Sequence, residues 1–110
     1  MRIAAIQICC KVGDVTANLN RAERLVESAS VGGAEFVCLP ELFTTGIVFG
    51  KMDKLAELIP GPTTQKLSRI ARTHSVYLVA GMVERREQTG TLHNASLLHL
   101  SAGRIAAKIP

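Results

Sequence analysis

A chain of 110 residues is within the size of one domain, and no break in composition divides it, so one unit is expected over 1–110. With 47% hydrophobic residues but only three Phe, one Tyr and no Trp, its core must be built from Ile, Leu, Val and Ala, which excludes a disordered chain and points to an aliphatic α/β protein. The formal charge of +4 is scattered, with Arg85-Arg86 the only adjacent basic pair and Glu84 and Glu87 flanking it, so the clustered patch of a nucleic-acid-binding protein is not there.

Ile3 to Cys10 is an apolar run without a helix breaker and predicts a buried strand. Val12-Gly13-Asp14 punctuates it. From Thr16 to Ser30, Leu19, Ala22, Leu25, Val26 and Ala29 recur at helical spacing opposite Arg21, Glu23, Arg24 and Glu27, and Gly32-Gly33 closes the helix. Phe36-Val37-Cys38-Leu39 reads as a second strand ended by Pro40, which completes a βαβ unit. Glu41 to Gly50 reads as a loop and Lys51 to Leu58 as a short helix. Gly61-Pro62-Thr63-Thr64 starts a helix whose buried stripe is Leu67, Ile70, Ala71 and His74. Val76 to Val83 predicts a third strand, Glu84 to Gly90 a polar connection, Thr91 to Leu100 its antiparallel partner, and Arg104 to Ile109 a fifth strand after the Ala102-Gly103 turn. Pro110 falls inside an apolar run with no closing helix or polar tail, which predicts the amino-terminal part of a longer protein.

The apolar stretch at the amino terminus is too short for a signal peptide, and no run reaches the ~18 apolar residues of a membrane span, so a cytoplasmic protein that does not engage a membrane is expected. Cys9, Cys10 and Cys38 are odd in number and lack the paired spacing of a zinc or redox site, which predicts buried free thiols. His74, His93 and His99 have no spacing that suggests a metal site and read as structural.

In Leu39-Pro40-Glu41-Leu42 a carboxylate sits just beyond the carboxyl end of a strand, where open α/β sheets gather their ligand and catalytic groups. Such a group suits general acid or base chemistry, and an ordinary capping or surface glutamate is the alternative. Ala5-Ile6-Gln7, Val12-Gly13-Asp14 with Asn18, Leu39-Pro40-Glu41-Leu42 with Thr45-Gly46, Ile59-Pro60-Gly61-Pro62-Thr63, Val79-Ala80-Gly81, and His93-Asn94-Ala95 before Gly103 together span nearly the whole chain. In this order they resemble the nitrilase superfamily of carbon-nitrogen hydrolases.

The resemblance implies part of an αββα sandwich and a Glu-Lys-Cys triad that attacks a small-molecule amide, carbamoyl compound or nitrile with no metal or organic cofactor. Glu41 would be the general base, taking the thiol proton, while a lysine stabilises charge on the substrate heteroatom. Lys108 lies in the region of the family's lysine but a few positions early and is followed by Ile109-Pro110, so it reads as a strand-end surface lysine. The family's cysteine lies further on. Cys38 stands three residues before Glu41, and strand alternation would put the two on opposite faces if the strand continued to Glu41, so Cys9, Cys10 and Cys38 read as packing thiols. Phe43, Thr45 and Phe49 are candidates for a pocket lining, with loop packing as the alternative.

The chain alone is therefore expected not to turn over substrate. A half-built sandwich would leave one apolar sheet face uncovered, with Val37, Leu39, Leu78, Ala80 and Leu97 as candidates for residues whose burial needs the second layer, and a homo-oligomer is expected. A non-catalytic α/β association module is the alternative function.

Overall fold

Asp14 opens the first helix, α1 (Val15–Val31), its side chain accepting a hydrogen bond from the Ala17 N–H at 3.1 Å and so satisfying one of the unpaired amides of the first turn. The computed structural model describes residues 1–109, and it places α1 between β1 (Ile3–Ala5) and β2 (Phe36–Cys38). The chain continues through α2 (Met52–Leu55), α3 (Pro62–His74), β3 (Tyr77–Arg85), β4 (Leu92–His99) and β5 (Ile105–Ile109). The start of α3 is built from side chains on both sides of Gly61. Thr64 Oγ1 accepts from the Gly61 N–H at 2.8 Å, and Glu57 reaches forward to accept from the Thr63 N–H at 2.9 Å and from the Thr63 hydroxyl.

The described strands form one sheet in the order β1-β2-β3-β4-β5, with β1, β2 and β3 parallel and β4 and β5 antiparallel to their neighbours. Two successive right-handed crossovers that step in the same direction across a sheet put both of their helices on one face. Accordingly α1 and α3 pack side by side, and Leu19, Ala22 and Val26 meet Leu67, Ile70 and Ala71 in a continuous core with Val37, Leu78 and Ala80. A polar strap joins the two helices. Glu23 on α1 pairs with Lys66, Arg69 and His74 on α3 at 3.4, 3.1 and 3.3 Å. Burial opposes ionisation of Glu23, yet the hydrogen bonds of Arg69 and His74 and the charges of Arg69 and Lys66 outweigh it and hold the carboxyl below its ordinary 4.5.

Register assigns each strand residue to a face. Val37 pairs with Leu78, Leu78 with His99, Ala80 with Leu97 and Met82 with Ala95, and all of these turn toward the helices and are buried. Phe36, Cys38, Tyr77, Val79, Gly81, Asn94, Ser96, Leu98, Ala107 and Ile109 make up the opposite face. Neither α1 nor α3 packs on that face, and Ile109 is 69% exposed on it. The helices alone bury Val37, Leu78, Ala80 and Leu97, and Leu39 is buried with them, so the expectation that these five need a second layer is corrected: the residues left open are Phe36, Tyr77, Val79, Leu98 and Ile109.

Two strand expectations are also revised. The first strand spans only Ile3–Ala5 and is half exposed rather than buried, because it lies at the sheet edge and pairs only with β2. The third runs on to Arg85, so Glu84 belongs to a strand and not to a polar connection. Glu84 is 3% exposed, and Lys108 Nζ donates to its Oε2 at 2.6 Å. His99 is buried with Ser68 Oγ 3.2 Å from its Nδ1, and burial pushes its imidazole down from 6.5 to about 4.

Candidate functional site

Beyond β2 the backbone stays against β3 for one more residue, the Leu39 N–H donating to Val79 O at 2.8 Å, and then turns across the open face. Leu42 takes a left-handed conformation, φ 50°, which a leucine adopts only when its surroundings hold it there. Its carbonyl accepts from the N–H groups of Thr45 and Gly46 at 3.3 and 2.7 Å, closing a tight turn. Gly81 makes room for this crossing. A Cβ there would lie 2.7 Å from Glu41 Cα and 3.2 Å from Leu42 N, so only glycine lets the two backbones approach so closely.

Asn18 fastens the turn to the rest of the chain. Buried at the start of α1, it accepts from the Lys11 N–H at 2.7 Å and donates to the carbonyls of Lys11 and Thr44, both at 2.8 Å. The Gly13 N–H also donates to Thr45 O at 2.8 Å, so the Val12-Gly13-Asp14 turn and the start of α1 together brace the segment after Glu41.

On this platform Glu41 is exposed, and its Oε2 accepts from Asn94 Nδ2 at 3.0 Å. Asn94 stands on β4, in register with Val83, on the open face. It also lines a mostly apolar cleft of about 220 Å³ with Leu42, Met52, Val83, Leu92 and His93. A larger concavity of about 750 Å³, between the start of α1 and α2, includes Asp14, Lys51 and Lys54 but neither Glu41 nor Asn94, so size does not mark the site here.

Lys108 is not beside Glu41. Alternation along β5 puts it on the helix face, opposite Glu41, where it neutralises buried Glu84 instead of standing free as a surface lysine. Cys38 departs from expectation in another way. Because β2 ends at Cys38 and the chain then bends over Gly81, Cys38 and Glu41 share the open face. The cysteines are less buried than expected: Cys9 is exposed, while Cys10 and Cys38 are half-buried. Phe43 and Thr45 are packed into the interior, Phe49 is 93% exposed, and none of the three lines the cleft beside Asn94. Among the histidines, His74 binds Glu23, His99 meets Ser68, and only His93 reaches the cleft, its Nε2 3.0 Å from Thr91 Oγ1. Asn94 lies within the His93-Asn94-Ala95 motif, which by itself assigns it no role, and the signal that finds it is the β3–β4 register.

An α/β sheet with helices on one face, and a carboxylate carried across the other at the carboxyl end of a parallel strand, defines the class to which the sequence comparison also assigns it. The profile of the carbon-nitrogen hydrolase family matches residues 2–108, and the chain belongs to that family. Among individual relatives, the chain is 37% identical over 108 residues to mouse (Mus musculus) omega-amidase NIT2, covering 97% of this chain and 38% of that protein. It is 38% identical over 89 residues to a nitrilase of Pyrococcus abyssi, covering 77% of this chain and 34% of that one. The crystal structure of Saccharomyces cerevisiae Nit3, a member of branch 10 of the nitrilase superfamily, superimposes with a TM-score of 0.87 at 25% identity, covering 97% of this chain and 42% of that one. The chain thus spans well under half the length of the relatives it matches.

Proposed function

We propose that this chain is the part of an amidase-type hydrolase that supplies the general base, Glu41, for attack on a small-molecule carbon-nitrogen bond. The observation that carries the reading is the exposed Glu41 carboxylate, held through one oxygen by Asn94 on a braced turn beyond the parallel strand β2. The other oxygen, Oε1, is left for the proton. In the reaction this supports, Glu41 takes the proton of a cysteine thiol, the thiolate attacks the carbonyl carbon, and the protonated Glu41 returns a proton to the departing amine. Glu41 then deprotonates the water that cleaves the thioester, which regenerates the thiol.

No cysteine or lysine among the described residues is assigned to this scheme. Lys108 is committed to Glu84 across the sheet, and Cys38 has no hydrogen bond to Glu41 among the described residues. Membership of a hydrolase family favours this reading over a stand-alone association module. An amide is the favoured substrate because the mouse relative is an omega-amidase, with a nitrile as the second choice on the strength of the Pyrococcus relative. In the full-length enzyme carrying this sequence, Glu41→Gln should lower kcat by on the order of a hundredfold or more with KM little changed. Unchanged turnover would return Glu41 to an ordinary surface glutamate.

A further inference from the structure

Resting on the reading of Glu41 as the base, we propose that Asn94 is its positioning residue, the group that fixes which carboxylate oxygen faces the thiol. Glu41 is carried by a turn, has three side-chain torsions and is exposed, so its carboxylate has no fixed direction of its own. A base that must accept a proton along one line needs its oxygen held to within about 0.5 Å. Asn94 supplies that from a strand: β4 is hydrogen-bonded along β3, and Asn94 sits directly across from Val83, two residues on from the Gly81 over which Glu41 passes. The donor is set by chemistry, since an ionised carboxylate only accepts, so the amide must present Nδ2, 3.0 Å from Oε2. A neutral amide is well suited to this work. It orients the carboxylate with a charge-assisted hydrogen bond yet brings no formal positive charge that would oppose protonation of the carboxylate as an arginine or lysine would.

The side chain at this position therefore acts through its donor and not through its volume, which separates positioning from packing. In the full-length enzyme Asn94→Ala should lower kcat about tenfold and leave KM within about twofold, the loss expected when one charge-assisted hydrogen bond to a reacting group is removed. Asn94→Asp, with the same shape, should be worse than Asn94→Ala, because it sets a carboxylate against a carboxylate. A packing role gives the reverse order, since aspartate fills the space that alanine leaves empty. In a Glu41→Gln background Asn94→Ala should cost nothing further, because the carboxylate it orients is gone. Should the alanine variant fold poorly, the isosteric aspartate variant decides the matter alone. Asn94→Ala and Asn94→Asp within twofold of the parent while Glu41→Gln abolishes turnover, or fully additive losses in the double variant, would overturn the proposal. Full turnover in Glu41→Gln would instead defeat the reading on which it rests.

Discussion

At the scale of single residues, the site depends on backbone geometry that its neighbours enforce. Gly81 has no unusual φ, so its role is space alone: the Glu41 backbone lies where a side chain would be. Gly81→Ala must push the crossing turn off the sheet, since the clash is with backbone atoms that no rotamer change can relieve, and a loss of about 1–3 kcal/mol is expected in denaturant unfolding. A midpoint indistinguishable from the parent would show that the turn does not need this contact. Asn18 makes a complementary case. Asn18→Ala leaves the partly buried N–H of Lys11 without its acceptor and removes a donor from the carbonyls of Lys11 and Thr44, at an expected cost of about 1–3 kcal/mol. Faster amide exchange around Thr44 and Thr45 should accompany it, and unchanged exchange there would argue against Asn18 as the brace.

At the scale of elements, two groups give α1, α3 and β4 different responses to acid. His99 is neutral in the folded chain down to about 4, whereas an unfolded chain takes up the proton near 6.5. Between those values the unfolded state binds more protons, so stability is complete above 6.5 and falls as pH drops toward about 4. Glu23 acts lower. Its carboxyl is held below 4.5 by the contacts from α3, so its contribution is present above that value and is lost as pH falls through the lower folded-state value. Denaturant midpoints measured against pH should therefore decline in two stages, with His99→Leu flattening the upper stage and Glu23→Gln the lower. An upper stage that survives His99→Leu would assign it to another group. The same elements show what periodicity reveals. The spacing of Leu19, Ala22 and Val26 places α1 within a residue of its observed ends, because helical amphipathicity repeats over several turns. Short strands offer no such repetition, and the edge position of Ile3–Ala5 is not encoded in its apolar run.

At the scale of the whole molecule, the sheet has one face covered by α1 and α3 and one that neither helix covers. Phe36 and Tyr77 stack on this open face with ring centroids 6.2 Å apart, and Val79, Leu98 and Ile109 continue the apolar surface. Contiguous apolar surface of this kind drives association, so the isolated 110-residue chain should sediment as a dimer or larger species and melt at lower temperature on dilution. A concentration-independent monomer that binds no hydrophobic dye would contradict this. The isolated chain should also hydrolyse no amide, carbamoyl compound or nitrile above background. Turnover that disappears in Cys38→Ser would make Cys38, on the same face as Glu41, the nucleophile.

The family, the order of elements and the candidate base were all legible in the residues, because each rests on local signals: helical spacing, Gly and Pro punctuation, and short motifs in a fixed order. What each group touches was not. Glu41 and Asn94 are 53 residues apart, and their hydrogen bond exists only because β3 and β4 pair in one particular register. Lys108 and Glu84 are 24 apart and meet on the helix face for the same reason. An unbroken strand would put Cys38 and Glu41 on opposite faces, yet the strand ends at Cys38 and the left-handed Leu42 carries the chain over Gly81. Periodicity along a chain reports which side of its own element a residue occupies. Only packing decides what lies on the other side of the contact.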